Sequence, residues 1–332
     1  MPKVSVIIPN YNHARFLPKR IESVLRQTYQ DFELILLDDC SKDESRTILL
    51  HYAGDPRVRL AFNDTNSGSA FRQWNRGVRL AQGEYVWIAE SDDYADERLL
   101  QTLVGRLEHN PSAALAYCRS WRVSAAGEVD GFWDASLSDL DAVRWTENFS
   151  AIGRDECAKY LFVRNTVQNA SSVVFRRDAY WKAGGASEDL FYCGDWKLWA
   201  SMALAGGMIE HSGEPLNYYR FHDSSVTKHD GPVGVAIGEW LRVVIWILER
   251  VTPGKSQMGR LRREFAYHWV PVVLDRCIRV AIRKRILLDA CKIDPYALMR
   301  LARALAVALR LTTLRRVRDL RARRLANART SS

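Results

Sequence analysis

The chain has 332 residues, room for one large or two modest domains, and its 47% apolar and 26% charged content is that of an ordinary globular protein. No run of about 18 uncharged apolar residues occurs, which excludes a conventional membrane-spanning helix. Cys40, Cys118, Cys157, Cys193, Cys277 and Cys291 form no CxxC pair and no zinc spacing, so a disulfide framework is excluded and a reducing compartment is expected. Met1-Pro2-Lys3 leads straight into the first apolar run, so no signal peptide is expected and a cytoplasmic location follows. The net charge of +9 hides an asymmetry: residues 233–332 hold 22 Lys/Arg against 7 Asp/Glu, whereas residues 1–232 hold 26 against 32. The two parts therefore face different partners.

The first hundred residues alternate strands and helices. Val4–Ile8 reads as a strand and Pro9–Asn12 as a turn, followed by a helix over Phe16–Tyr29 with apolar positions at Phe16, Leu17, Ile21, Val24 and Leu25. A second strand covers Phe32–Leu37 and ends at Asp38-Asp39-Cys40-Ser41. Ser41 with Glu44 reads as a capping box for a helix through Leu50. A short strand at Val58–Ala61, a helix from Ala70 to Ala81 and a buried strand at Tyr85–Ala89 follow. This order predicts an α/β fold with right-handed crossovers and a mainly parallel sheet flanked by helices. Further on come a helix near Leu99–Glu108, a strand at Ala113–Arg119, an irregular segment 124–154, a strand at Val167–Phe175, a helix at Gly194–Ala205 and a strand at Leu216–Phe221. After Gly231-Pro232 the composition turns basic and helical. The expected divisions are 1–110, 111–230 and a helical extension 231–332.

Glu90-Ser91-Asp92-Asp93 packs three carboxylates into four residues at the end of a buried strand. In open α/β sheets ligands bind beyond the carboxyl ends of strands, and closely packed carboxylates stay ionised only with a compensating cation. A hard divalent ion carrying phosphate oxygens satisfies that requirement; a solvated acidic turn capping the next helix is the alternative. Three polar strand ends, Pro9–Asn12, Asp38–Ser41 and Glu90–Asp93, converge on one crevice. The Gly-rich turn of a dinucleotide-binding domain is absent after the first strand. Asp39 is suited to accept from a base imide or ribose hydroxyl, and Tyr11 to pack on a base.

The segments Val4–Asn12, Ser23–Tyr29 and Phe32–Ser41, with Asn75-Arg76-Gly77 and Ala81–Tyr85 leading into the acid cluster, resemble the family 2 glycosyltransferases over roughly residues 3–225. The resemblance implies the GT-A fold, a nucleotide-sugar-binding half followed by an acceptor-binding half, and inverting transfer from a nucleoside diphosphate, with UDP the default nucleotide. It places Pro9, Tyr11 and Asp39 at the nucleobase and ribose, Glu90-Ser91-Asp92 on the family's DXD motif, and Arg72 near the donor. Asp92 falls at the metal-binding end and Asp93, the extra acid that commonly follows, is a second candidate metal ligand; Glu90, a candidate donor contact, departs from the usual Asp. Cys193-Gly194-Asp195 resembles the segment in which an acid begins a helix and acts as base, although Gly194 stands where a second acid is frequent. Asp195 is thus the candidate base, with a plain N-cap as the alternative. His222, in a segment resembling the domain's closing motif, is a candidate ligand to metal or phosphate, or a surface histidine after an edge strand. Arg220 is either a diphosphate contact or a structural ion-pair partner. An all-oxygen site implies Mg²⁺ or Mn²⁺ and argues against Zn²⁺.

From Ala297 to Thr312, Leu298, Leu301, Leu305 and Leu309 share one helical face, and Arg300, Arg303 and Arg310 another. This face either packs on the protein's own body or lies on an anionic membrane surface; no nucleic-acid module accompanies the charge. The expected activity is sugar transfer to a glycan or lipid-linked acceptor in bacterial surface-polysaccharide synthesis, peripheral on the inner face of the membrane. The other readings are nucleotidyl transfer and a nucleotide-sugar or glycan-binding scaffold without catalysis.

Overall fold

The computed structural model describes residues 1–222, 233–275 and 277–306. It divides into two compact units, Met1–Asp230 with Trp246–Gln257, and Gly231–Ile245 with Met258 onward. In the first unit the chain runs β1 (Val4–Asn10), α1 (Leu17–Leu25), β2 (Phe32–Asp38), α2 (Ser45–His51), β3 (Val58–Phe62), α3 (Ala70–Leu80) and β4 (Tyr85–Ile88). It continues through β5 (Tyr94–Ala95), α4 (Leu99–His109), β6 (Ala113–Ser124), β7 (Val129–Phe132), β8 (Phe149–Ile152) and α5 (Gly153–Glu156). β9 (Val173–Arg176), α6 (Arg177–Lys182), α7 (Gly194–Leu204) and β10 (Met208–Phe221) complete the sheet and its helices.

One sheet holds the ten strands of the described residues, in the main order β3-β2-β1-β4-β9-β6-β10-β5, and runs straight through the expected division at residue 110. β3, β2, β1 and β4 are parallel, as the alternating order predicts. Beyond them β9 is antiparallel to both β4 and β6, and β10 is parallel to β6. It follows that β6 and β10 point the same way as β1, β2 and β4. The ends of β1, β2, β4 and β10 and the loop entering β9 therefore share one edge of the sheet. That edge carries the candidate site.

β1 is buried at every position and β2 at all but one, as expected for strands covered on both faces. Val6, Ile8, Leu34, Leu36 and Trp87 pack with Leu17, Ile21 and Val24 of α1 and with Leu100, Leu103 and Leu107 of α4 in one core. Gly83 enters β4 so close to β1 that an added Cβ would lie 2.6 Å from the Ser5 backbone nitrogen.

Several sequence expectations need correction. Ser41 does not cap α2: its Oγ accepts from the Asn12 backbone N–H and from Asn10 Nδ2, while Asp43 accepts from the Ser45 N–H. Asp38 also accepts from the Ser41 N–H, so the polar turn serves strand-end linkage. The segment 124–154, expected to be irregular, contributes β7 and β8 to the sheet. The strand expected over Val167–Phe175 is confined to β9, because Asn169 accepts from the Ser171 N–H and turns the preceding residues.

In the second unit, α8 (Val233–Leu248) supplies its first residues, followed by α9 (Lys255–Leu274) and α10 (Val280–Ile293). The break at Pro253-Gly254 is observed, and a further helix starts at 297, after Asp294-Pro295, and runs to the last described residue. Trp240 stacks on Phe265 at 5.3 Å and Phe265 on Trp269 at 5.5 Å. The apolar face expected over 297–312 is described only to 306; there Leu298 and Leu305 are exposed, and Leu309, Arg310 and Thr312 lie outside the described residues.

Candidate active site

The first two strand ends are tied together. Asn10 Nδ2 donates to Asp38 Oδ1 at 2.9 Å, Asp38 Oδ2 accepts from the Ser41 N–H and from Arg46 Nε, and Asn12 Oδ1 accepts from the Lys42 N–H. Asn12 and Cys40 both adopt positive φ (58° and 62°) to make these crossings, a conformation Asn tolerates better than most residues. Pro9 lies buried beside Leu37 in the strand pair, and Tyr11 projects 41% exposed from the turn. Asp39 is buried, with its carboxylate accepting from Asn63 Nδ2, the Ser67 N–H and Oγ, and Gln73 Nε2. These bonds fix the loop 63–69 against the end of β2.

The acid cluster divides into three different environments. Asp92 Oδ2 lies 3.0 Å from His222 Nε2. Burial acts to raise the Asp92 carboxyl, but the His222 hydrogen bond and the charges of His13 and His222 outweigh it and hold it below the ordinary value. Glu90 Oε1 instead accepts from Trp74 Nε1 at 2.7 Å, and burial together with the nearby Asp92 charge pushes its carboxyl up to about 8. At neutral pH it is largely a neutral acid, the weaker cation ligand of the two. Asp93 turns away from the Asp92 side: its oxygens accept from the Arg220 N–H at 2.8 Å and from Asn169 Nδ2 at 3.1 Å. Burial and the Asp92 charge raise its carboxyl to about 6.

Under the cluster sits Arg20, fully buried on α1. Its Nε donates to the Glu90 carbonyl at 2.8 Å and its Nη2 stands 3.9 Å from Asp93 Oδ2, over the Trp87 ring. Arg220 braces the other side, donating through Nε to the Asp92 carbonyl and through Nη1 to the carbonyls of Ser124 and Ala125. Arg220 thus holds the acid turn through its backbone.

His13, on the turn after β1, completes a second grouping. One ligand atom each of His13, Asp92 and His222 lies within 4.8 Å of the others. His13 Nδ1 is 2.8 Å from Ser91 Oγ, and the two imidazoles meet edge to face at 5.6 Å. Burial keeps the His13 ring below its ordinary pKa against the pull of Asp92. Two imidazoles and a carboxylate suit a divalent cation. Nitrogen donors from two turns far apart in sequence thus stand beside the carboxylate, in addition to the oxygen ligands expected from the acid cluster.

Asp195 begins α7 half-buried, with Oδ1 accepting from the Trp196 N–H and Oδ2 from Asn165 Nδ2 at 2.9 Å. Burial raises its carboxyl to about 6. The loop from Asn165 to Ser172 connects it to the acids: Asn169 meets Asp93, and Ser171 accepts from the Glu90 N–H through Oγ and from Trp87 Nε1 through its carbonyl. A Cβ at Gly194 would fall 2.4 Å from the Phe71 ring, so packing explains why a second acid is missing there. Arg72, one residue along α3, stays outside the acid groupings; it donates to the Ser67 carbonyl and pairs with Glu188 at 3.5 Å.

Sequence reasoning missed His13, Arg20, Trp74 and the 165–172 loop. Arg20 was detectable, since it falls on the same helical face as Leu17, Ile21 and Val24 and a cation there demands an acid partner. His13 directly follows the Pro9–Asn12 turn, but nothing local distinguishes it from a solvent-facing histidine.

Comparison with known proteins agrees with this architecture. Residues 5–184 match the model of glycosyl transferase family 2, more than half of the chain. The chain belongs to that family. Among curated proteins it is 39% identical over 106 residues to glycosyltransferase GlyG of Streptococcus pneumoniae, covering 32% of this chain and 35% of GlyG. It is 30% identical over 117 residues to the poly(ribitol-phosphate) β-N-acetylglucosaminyltransferase TarS of Staphylococcus aureus, covering 35% of this chain and 20% of TarS. The match thus spans about a third or less of these two relatives. The structure of TarS 1–349 with UDP-GlcNAc superposes with a TM-score of 0.64 at 16% identity, covering 89% of this chain and 81% of that one. A mannosyltransferase from Pyrobaculum calidifontis, in complex with GDP-Man and Mn²⁺, gives 0.57 at 17% identity, covering 93% and 81%. At these identities the superpositions establish the GT-A fold.

The burial of Arg20 gives a direct stability test. Replacing Arg20 by Leu leaves Asp93 without its cation, and loss of one partner of a buried pair costs about 3–5 kcal/mol. Urea denaturation of the Arg20→Leu chain should show a fall of that size; an unchanged midpoint would show the pair to be incidental.

Proposed function

We propose that this chain is a metal-dependent inverting glycosyltransferase that moves a sugar from a nucleoside-diphosphate donor to a hydroxyl of a glycan or lipid-linked acceptor, in cell-surface polysaccharide synthesis. The observation that carries the reading is the arrangement of Asp92 with His13 and His222 at the strand-end edge that also holds Tyr11 and Asp39. Tyr11 and Asp39, with Pro9 behind them, face the base and ribose; Asp92 and His222 would hold Mn²⁺ or Mg²⁺, and Arg72 stands on the donor side. When bound, such an ion neutralises the leaving diphosphate and orients the donor. UDP is the default nucleotide, supported by TarS, which holds UDP-GlcNAc in the same fold; the Pyrobaculum enzyme, with GDP-Man and Mn²⁺, supports a divalent ion.

Asp195 is the base. Its carboxylate takes the proton from the acceptor hydroxyl as that oxygen bonds to the anomeric carbon, while the carbon–oxygen bond to the diphosphate breaks and the nucleoside diphosphate leaves with the electron pair. Attack opposite the leaving group inverts the anomeric centre. The half-buried position of Asp195 raises its proton affinity towards what a base needs near neutral pH, and Asn165 aims one oxygen. Asp93 and Glu90 support the site by holding the turn, the first through Arg220 and Asn169, the second through Trp74. The absent acid at 194 is no argument for an inactive scaffold, because the Phe71 ring fills that space. A nucleotidyltransferase would want a basic, glycine-rich turn after β1, and Asn10–His13 is not one.

The second unit supports a peripheral membrane location. No described helix is long and apolar enough to cross a membrane. Yet Val280, Leu288, Tyr296, Leu298, Met299 and Leu305 are exposed, as are the cations Lys284 and Arg303. Apolar side chains beside cations suit an anionic bilayer surface, such as the inner face on which a lipid-linked acceptor is presented.

Asp195→Asn should lower transfer by at least about 10²-fold, the lower range for a positioned acid–base group, and Asp92→Asn by at least about tenfold, the least that changes around a metal site cost, with the fold retained by circular dichroism; full activity in either would overturn its role. In the wild type, kcat/KM should fall about tenfold per pH unit below about pH 6, because Asp195 is protonated there. A flat acid limb down to pH 5 excludes Asp195 as the base. The full chain should co-sediment with phosphatidylglycerol vesicles and not with phosphatidylcholine vesicles, and Leu298→Glu with Leu305→Glu should weaken that binding; equal behaviour on both lipids would overturn the membrane reading.

A further inference from the structure

We infer that His13 is a protein ligand to the divalent ion held by Asp92, so that the site presents two imidazoles and one carboxylate and selects a first-row transition ion over Mg²⁺. The inference rests on the reading of Asp92 as a metal ligand and adds a residue from the turn after β1. Two ligands about 2.1 Å from one ion lie about 3.0 Å apart when cis in an octahedron and about 3.4 Å apart in a tetrahedron. His222 Nε2 and Asp92 Oδ2 stand at 3.0 Å, the spacing of a cis pair. The third ligand atom, from His13, is within 4.8 Å of both, so the three side chains surround one point and need only draw together to close the set.

The surroundings of His13 orient it for that role. Ser91 Oγ, inside the acid cluster, holds its Nδ1 at 2.8 Å and leaves Nε2 as the coordinating atom. Hydrogen bonds of this kind fix the rings of ligating histidines. Phe16 limits ring motion from the other side, at 5.9 Å from His13 and 4.7 Å from His222. Nitrogen ligands favour later first-row ions over Mg²⁺, which prefers oxygen and keeps its waters. His13 also lies two residues beyond Tyr11. Ligation there links the occupancy of the metal site to the turn proposed to meet the nucleobase.

The test uses the full chain with Mn²⁺ in the presence and absence of UDP, read by electron paramagnetic resonance of the free ion and by electron spin-echo modulation from ¹⁴N. The wild type should show coupling to two imidazole nitrogens and hold Mn²⁺ against a tenfold excess of Mg²⁺. His13→Gln should show one imidazole and bind Mn²⁺ at least about tenfold more weakly, since even outer-shell changes cost that much. One imidazole in the wild type, or equal Mn²⁺ affinity in His13→Gln, overturns the role of His13 and leaves that of Asp92 standing. No Mn²⁺ retained by the wild type, even with UDP, overturns the metal reading and the role of His13 together. The nitrogen count needs only the wild type, so a His13→Gln chain that fails to fold does not block the test.

Discussion

Three carboxyl groups at the end of one buried strand are a liability that the surrounding structure has to offset. Each ionised carboxylate taken out of water costs several kcal/mol. At 3.9 Å the gross attraction of Arg20 for Asp93 is about 4 kcal/mol at an effective dielectric of 20, the same order as that penalty. One buried cation can therefore sustain about one ionised acid. The remaining two differ in fate: Glu90 is pushed towards its neutral form beside Trp74, and Asp92 keeps its charge by facing two imidazoles. Of the three acids the sequence displays, Asp93 is engaged by Arg20 and Glu90 by Trp74, which leaves Asp92 as the charged carboxylate that faces the histidines.

The sheet topology makes this division of labour possible. β9 runs against its neighbours, so the loop that enters it arrives at the edge where β1, β2, β4 and β10 end. From that loop Asn165, Asn169 and Ser171 reach Asp195, Asp93 and the Glu90 backbone in turn. The candidate base and the acid turn are thereby held by one short piece of chain, and both depend on the same antiparallel strand. Positional accuracy of this kind is what proton abstraction next to a bound donor requires.

The N-terminal half of the fold was readable because its signals are local. Continuous apolar runs mark β1, β2 and β4, and the helices between them carry a clear apolar face. The positions of Asp39 and Asp92 at strand ends and of Asp195 at a helix start were readable from the local pattern around each. What escaped were relations between distant segments. His13 becomes notable only once the end of β10 places His222 beside it, and no spacing in the chain announces that. β7 and β8 are short and partly polar, so their pairing with β6 and β10 leaves little periodicity to detect. The Ser41–Glu44 pattern fits a capping box by spacing, but Ser41 is claimed by the neighbouring strand end before the helix can use it.

The contact between Gly194 and Phe71 makes two residues 123 positions apart a single steric unit. A carboxylate at 194 has room only if the ring at 71 shrinks, and a smaller residue at 71 withdraws the support that packs against Trp74, the donor to Glu90. An added acid beside Asp195 therefore carries a rearrangement at Glu90. Within this architecture the number of acids near the base and the protonation of the DXD-like turn are not independent variables, and a change at either is transmitted through a benzene ring.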